Sequence, residues 1–179
     1  LDVIVDWQHR LHRDWDSEWL AEKQPTLDII ITTAGEPLAV IEETVSAVIN
    51  LEYPHETYIF DDGRLREVQA LAGKLGAKYI SRKNRAHAKA GNINYGLQYC
   101  TGEFFAIIDA DHIVKPEFVA TLFPFMVDDT VAMVQSPQHY TNTDEFIAAG
   151  AAQAQEVFYK YVCPSKNISN SAFCVGTNM

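Results

Sequence analysis

Two pairs of carboxylates and one lysine are the groups in this 179-residue sequence whose types and spacing suit chemistry. Asp109 and Asp111 flank Ala110 at the end of the apolar run FFAIID (104–109). Side chains at i and i+2 of an extended segment point the same way, about 6.5–7 Å apart along the backbone, and Ala110 points away. Two unpaired carboxylates so placed repel, and a divalent cation relieves the repulsion. Mg²⁺ is typically held by one or two carboxylates, with substrate phosphates and water filling its other positions. Acids after a strand also serve as turn formers or helix N-caps, and DAD alone favours that reading. The five apolar residues before it shift the balance to metal binding. His112 reads as structural, because Mg²⁺ prefers oxygen ligands.

Asp61 and Asp62 end a second such run, TYIFDD (57–62), and Gly63 permits a tight turn. One carboxylate is suited to accept hydrogen bonds from a base or sugar edge while the other caps a helix at Arg64. A structural turn is an equal reading of this pair in isolation. Positive charge comes from NRAHAKAGNINYGL (84–97), where Lys89 and Arg85 lie four apart on a predicted helix with His87 nearby. A lysine is a compact charge suited to phosphate oxygens. The small Ala88, Ala90 and Gly91 argue for a packed site rather than a solvated helix face.

These groups need a scaffold, and the pattern supplies one. Trp7, Leu11, Trp15, Trp19 and Leu20 recur at three and four through residues 1–23, an amphipathic helix ended by Gln24 and Pro25. Strands are predicted at 27–33, 57–62, 77–82, 103–109 and 131–136. Helices are predicted at 38–51, 64–76 (with Gly76 at its end), 86–100, 115–127 and 143–162, and Pro37 suits the first turn of the first of these. Such alternation implies an α/β fold with a mostly parallel central sheet flanked by helices. Ligands then bind outside the carboxyl ends of the strands, where TTAGE, DDG, SRKNR, DADH and QSPQHY all fall. The expected organisation is an N-terminal helix (1–24) packing on one domain (25–179).

Composition narrows the partners. Acids outnumber bases 24 to 14, for a formal charge of −10, which argues against nucleic acid. Cys100, Cys163 and Cys174 form neither a disulfide framework nor a CxxC pattern, so a reduced setting is the default. No apolar stretch approaches the roughly 18 residues of a membrane span, and no signal peptide opens the chain, so it is expected to be soluble. It opens on Leu and stops at FCVGTNM, which reads as a piece of something longer.

FDDG, HAKAGNIN, DADH, QSPQH and VGTN, in this order and spacing, resemble the family 2 glycosyltransferases, and among them the catalytic domain of bacterial cellulose synthase and related membrane-embedded enzymes. The likeness covers roughly residues 25–179. It implies a GT-A, Rossmann-like domain binding a nucleotide-sugar, with UDP-glucose the first expectation, together with Mg²⁺ or Mn²⁺. By that resemblance Asp61 or Asp62 contacts the base, Asp109 and Asp111 hold the metal at the diphosphate, and Lys89 faces the diphosphate. Thr33 and Glu36 match a T-x-x-E that borders the nucleotide, and Gly176, Thr177 and Asn178 lie where the acceptor sugar is positioned. The implied activity is inverting hexosyl transfer (EC 2.4) to a glycan or lipid, in a parent continuing into transmembrane helices, with this domain at the cytoplasmic face of the cell membrane.

The sequence departs from the family in two places. Ala34 and Gly35 stand where Tyr-Asn is common, removing a base-packing aromatic. The T-E-D motif that carries the general base, and the Q-x-x-R-W of processive members, are absent from these residues, so donor binding without efficient transfer is expected. Two other classes fit part of the pattern. A sugar-phosphate nucleotidyltransferase shares the sheet, carboxylates and lysine but usually has a Gly-rich first loop, where TTAGEP has only Gly35; it would release pyrophosphate. A non-catalytic nucleotide-sugar-binding module would keep the fold and lose the acid and lysine set, which is present.

Overall fold

Leu27–Thr33 (β1) reads Leu-Asp-Ile-Ile-Ile-Thr-Thr without alternation and is buried at every position. A strand of that kind must be covered on both faces, as in the middle of a parallel sheet. In the computed structural model, which describes residues 16–139 and 146–179, β1 pairs in parallel with Glu56–Asp61 (β2) on one side and Phe104–Asp109 (β4) on the other. Lys78–Ile80 (β3) adds to the far side of β2, so the order is β3-β2-β1-β4. The register sets Thr33 opposite Asp61 and Thr32 opposite Asp109. Both acid-bearing strand ends therefore flank the Thr-Thr end of β1.

The helices cover this sheet. Asp16–Lys23 (α1), Leu38–Ile49 (α2) and Arg66–Leu75 (α3) join the larger core, in which Ile29, Ile31, Ile59 and Ile108 meet Ile41, Val45 and Val48 of α2 and Val68, Leu71 and Ala72 of α3. Ala88–Gly96 (α4) and the 3₁₀ turn Leu97–Tyr99 lie over the other face, on Ile30, Tyr58 and Phe60. Gly76 ends α3 in the left-handed conformation (φ 81°), as its position predicts. Pro37 stands at the N-cap of α2 rather than inside its first turn. Trp19 of α1 meets the Phe123 ring edge-on at 6.0 Å, and Phe104 and Tyr53 meet the same ring. Trp7, Leu11 and Trp15 lie outside the described residues.

The stretch 115–127 forms a short helix, Phe118–Leu122 (α5), and a 3₁₀ turn, Phe123–Val127, in which Pro124 has no amide hydrogen to give an α-helix. Phe146–Val157 (α6) passes through a π-helical turn, Phe158–Val162, into Cys163–Ile168 (α7). No helix among the described residues is long and apolar enough to cross a membrane.

The expected fifth strand, 131–136, is not formed. The edge of β4 is already taken by residues 177–179: the Ile107 amide donates to the Met179 carbonyl at 2.8 Å, and the Ile107 carbonyl accepts the Asn178 amide at 2.7 Å. Two residues facing one in this way is the pattern of a bulge. The stretch 131–136 lies outside them, where the Ser136 amide reaches the Asn178 carbonyl at 2.9 Å. An apolar run does not make a ladder where the edge groups already have partners.

Candidate active site

Asp109 is the centre of the rim. Its Oδ1 accepts the Thr32 hydroxyl at 3.2 Å and the Lys89 ammonium, and its amide donates to Thr177 Oγ1 at 2.9 Å. Lys89 Nζ also donates to the Gly176 carbonyl at 2.6 Å. Ala110 is 2% exposed, and its carbonyl accepts the Thr44 hydroxyl of α2 at 2.7 Å, which anchors the loop from below. The strand ends at Asp109, and the His112 amide closes a turn onto the Asp109 carbonyl at 3.1 Å. Asp111 thus stands in a turn, not in the extended segment that the i, i+2 reading assumes.

Asp111 nevertheless stays beside Asp109. One ligand atom each from Asp109, Asp111 and His112 lies within 4.8 Å of the others. His112 therefore stands in the cluster rather than behind it. Its Nδ1 is 3.2 Å from Thr177 Oγ1, and Nε2 is 3.9 Å from Asp111 Oδ1. Thr177 also donates to Asn178 Oδ1 at 3.3 Å. A neutral imidazole has one donor and one acceptor nitrogen, so the contact that Nδ1 makes with Thr177 sets which role Nε2 takes on the Asp111 side. Two carboxylates, one of them 66% exposed along its side chain, and an imidazole make a donor set suited to Mg²⁺ or Mn²⁺.

The two acids of DDG have different surroundings. Asp61 is fully buried; its Oδ2 accepts the Leu65 amide at the start of α3 and the Tyr79 hydroxyl, both at 2.8 Å. Its Oδ1 is buried with no hydrogen-bond partner. A Cβ on Gly63 would lie 2.7 Å from that oxygen and 3.3 Å from the Gly35 amide, so only glycine fits this turn. A buried acceptor without a donor is costly, and a ligand N–H relieves it. Asp62 instead makes a two-point ion pair with Arg82, at 2.7 and 2.8 Å. Burial and the bond to Asp61 push the Tyr79 phenol up to about 12. Tyr79 also lines an open cavity of about 380 Å³ with Arg64, Ser81, Tyr95 and Tyr99, which the sequence pattern did not indicate.

Thr33 and Glu36 form a local cap. Glu36 Oε2 accepts the Thr33 hydroxyl at 2.6 Å, the Ala34 amide at 2.7 Å and the Gly35 amide at 3.1 Å. Burial acts to raise the Glu36 pKa, but the bonds from Thr33, Ala34, Gly35 and its own amide together outweigh it, and the net shift is downward. A carboxyl depressed in the fold adds stability above its ordinary value of 4.5 and loses it as pH falls through the lower folded value. Glu36→Gln is therefore expected to lower the melting temperature at pH 7 by a few degrees, and the gap should be smaller at pH 3. A gap of equal size at both pH values contradicts the assignment.

The segment before Lys89 departs from the predicted helix. His87 and Ala88 are left-handed (φ 63° and 44°), and α4 begins only at Ala88. Arg85 lies in the preceding loop, donating to the Gly63 carbonyl at 3.3 Å, and so does not share a helix face with Lys89. Arg82 spans this turn: its Nη1 and Nη2 donate to the Ala86 and Ala88 carbonyls at 2.8 and 2.7 Å. The same Asp62 carboxylate holds the Arg82 pKa above its ordinary value.

Gly176, Thr177 and Asn178 are brought against β4 and the Asp109 turn rather than apart from it. Thr32, Thr44 and Arg82 were not singled out by sequence. The repeated Thr at the strand end and the Arg in SRKNR were the available signals.

A parallel α/β sheet with a lysine, an acid-imidazole cluster and an orphaned carboxylate on its carboxyl-end rim has the architecture of a GT-A glycosyltransferase domain. The model for Glycosyl transferase family 2 matches residues 28–179, and the chain belongs to that family. It is similar to the Cellulose synthase 1 catalytic subunit (UDP-forming) of Komagataeibacter xylinus, 34% identical over 165 residues, which are 87% of this chain and 22% of that protein. It is 39% identical over 126 residues to the Cellulose synthase catalytic subunit (UDP-forming) of Xanthomonas axonopodis pv. citri (strain 306), covering 68% of this chain and 17% of that one. The chain thus spans less than a quarter of the length of these curated relatives. Among solved structures, the mannosyltransferase PcManGT from Pyrobaculum calidifontis, in complex with GDP-Man and Mn²⁺, superposes with TM-score 0.53 at 22% identity, over 75% of this chain and 46% of that one. Mannosyl-3-phosphoglycerate synthase from Rubrobacter xylanophilus gives 0.51 at 16% identity, over 63% and 40%. These two likenesses concern the fold.

Proposed function

We propose that this chain is the donor-binding part of an inverting glycosyltransferase that takes a UDP-sugar, UDP-glucose first, with Mg²⁺ or Mn²⁺, and serves transfer to a glycan or lipid acceptor. The observation that carries the reading is the cluster of Asp109, Asp111 and His112 with Lys89 bound to the same Asp109. Asp109, Asp111 and His112 would hold the cation, which when bound supplies neutralisation of charge growing on the departing diphosphate. Lys89, which shares Asp109 with that cluster, is the cation beside it. Asp61 Oδ1 is the acceptor for a base imide N–H, and Thr33 with Glu36 shapes the loop that borders the base. Gly176, Thr177 and Asn178 lie on the acceptor side of Asp109.

The acceptor hydroxyl needs a carboxylate base. The resemblance assigns it to a T-E-D motif that these residues do not contain, so donor binding is proposed for the chain and transfer for the whole protein, a longer, membrane-embedded enzyme with this domain at the cytoplasmic face. The UDP-forming relatives support uridine over guanosine. Calorimetric titration with UDP, UDP-glucose, GDP and GDP-mannose in Mn²⁺ tests the choice. Both uridine ligands are expected to bind at least about tenfold more tightly, following the UDP-forming relatives; Asp61 itself does not make the choice, because the N1–H and amino group of guanine also suit a carboxylate. Preference for the guanosine ligands overturns the reading.

A further inference from the structure

Arg82 is 7% exposed, yet it carries neither a catalytic group nor a place in any expected site. Its guanidinium joins three segments. One edge takes both oxygens of Asp62, from the turn after β2. The other takes the carbonyls of Ala86 and Ala88, on either side of His87. Between those carbonyls the chain is left-handed at two successive non-glycine residues, a conformation that persists only when its surroundings impose it. Gly91, one turn into α4, lies directly on the guanidinium: a Cβ there would be 2.6 Å from Nη1 and 2.1 Å from the Ala86 carbonyl oxygen. The residue that follows Ala88 is Lys89, whose ammonium reaches Asp109 and the Gly176 carbonyl.

We infer that Arg82 is the positioning residue of the donor site: it imposes the left-handed start of α4 and thereby aims Lys89 at the Asp109 turn. A planar fork with five donors makes four bonds here, two to a carboxylate and two to carbonyls, and a lysine, with three donors on one atom, cannot reproduce them. The placement of Lys89 is independent of what binds; its consequence for a diphosphate rests on the function proposed above.

Arg82→Lys keeps the charge and tests the geometry. In the first arm, lysines are acylated with an N-hydroxysuccinimide ester and quantified by mass spectrometry, with Lys115 as internal reference. The Lys89-to-Lys115 ratio should rise severalfold in the variant. An unchanged ratio overturns the inference, whatever happens to the melting temperature. In the second arm, UDP and uridine are titrated in Mn²⁺. UDP affinity should fall about tenfold or more, the scale of an ångström-level misplacement, while uridine affinity holds. An equal loss for both contradicts the role. If the wild type binds neither nucleotide, the donor reading fails and the acylation ratio still decides the role of Arg82. Should Arg82→Lys fold poorly, Arg82→Lys/Ala88→Gly is the second variant. Glycine accepts the left-handed conformation without strain and should restore the wild-type Lys89 ratio; failure to restore it in a folded protein counts against the mechanism.

Discussion

Gly91→Ala is expected to destabilise the domain by about 3 kcal/mol, the upper end of overpacking costs, against the direction that helix propensity alone dictates. In an open helical position the same change stabilises by about 0.5–1 kcal/mol, because glycine loses more backbone entropy on folding. At Gly91 the new methyl would meet the Ala86 carbonyl oxygen at 2.1 Å, Arg82 Nη1 at 2.6 Å and His87 Cβ at 3.1 Å. None of these can give way. The carbonyl belongs to the left-handed turn, and the guanidinium is tied to Asp62. Gly73 is the control: it lies within α3, exposed, with nothing within 4 Å of its would-be Cβ. Urea denaturation of Gly91→Ala and Gly73→Ala should give opposite signs. Equal small effects would show that the HAKAGN glycine is there for chain flexibility and not for close approach.

Asp109→Asn has the second large effect, on binding rather than on folding. The amide keeps the volume and still accepts the Thr32 hydroxyl, so the rim should stay in place. What it removes is one negative charge from the cluster and the partner of Lys89. Mn²⁺ affinity, read from the free-ion signal in electron paramagnetic resonance, is expected to fall by at least about 100-fold, since a hard cation depends on charged oxygen. The melting temperature without metal should move by only a few degrees. A variant that binds Mn²⁺ like the wild type would remove the cluster as a metal site.

Both variants lie in motifs legible from residue spacing, but their surroundings were legible to different degrees. The runs 27–33, 57–62 and 104–109 carried their own evidence, since continuous apolar stretches ending in polar groups are what a buried parallel strand with a functional end requires. The run 131–136 has similar composition and no ladder. Strand formation there depends on whether an edge is free, and residues more than forty positions later take the edge of β4. The acid pairs showed where charge gathers but not its division of labour. Asp61 and Asp62 are adjacent and chemically identical, and only Arg82 and Tyr79, in and just after β3, distinguish them: Arg82 holds both oxygens of Asp62, while Tyr79 holds one oxygen of Asp61 and the other is buried without a partner. Lys89 and Arg85 looked like one helix face because a 3.6-residue period is assumed wherever small and polar residues continue. Two left-handed residues between them break that period, and nothing in Ala-His-Ala announces it.

The central claim is that the Asp109–Asp111 turn and Lys89 form a metal-dependent site for a nucleoside diphosphate. Calorimetric titration of UDP into the wild-type chain and into Asp111→Ala, each with and without Mg²⁺, tests it most directly. Asp111 is exposed and in a turn, so its loss should leave the fold intact. The wild type should bind UDP with Mg²⁺ and much more weakly without it, and the variant should bind weakly in both conditions. Absence of UDP binding by the wild type, or equal Mg²⁺-dependent binding by Asp111→Ala, would contradict the claim.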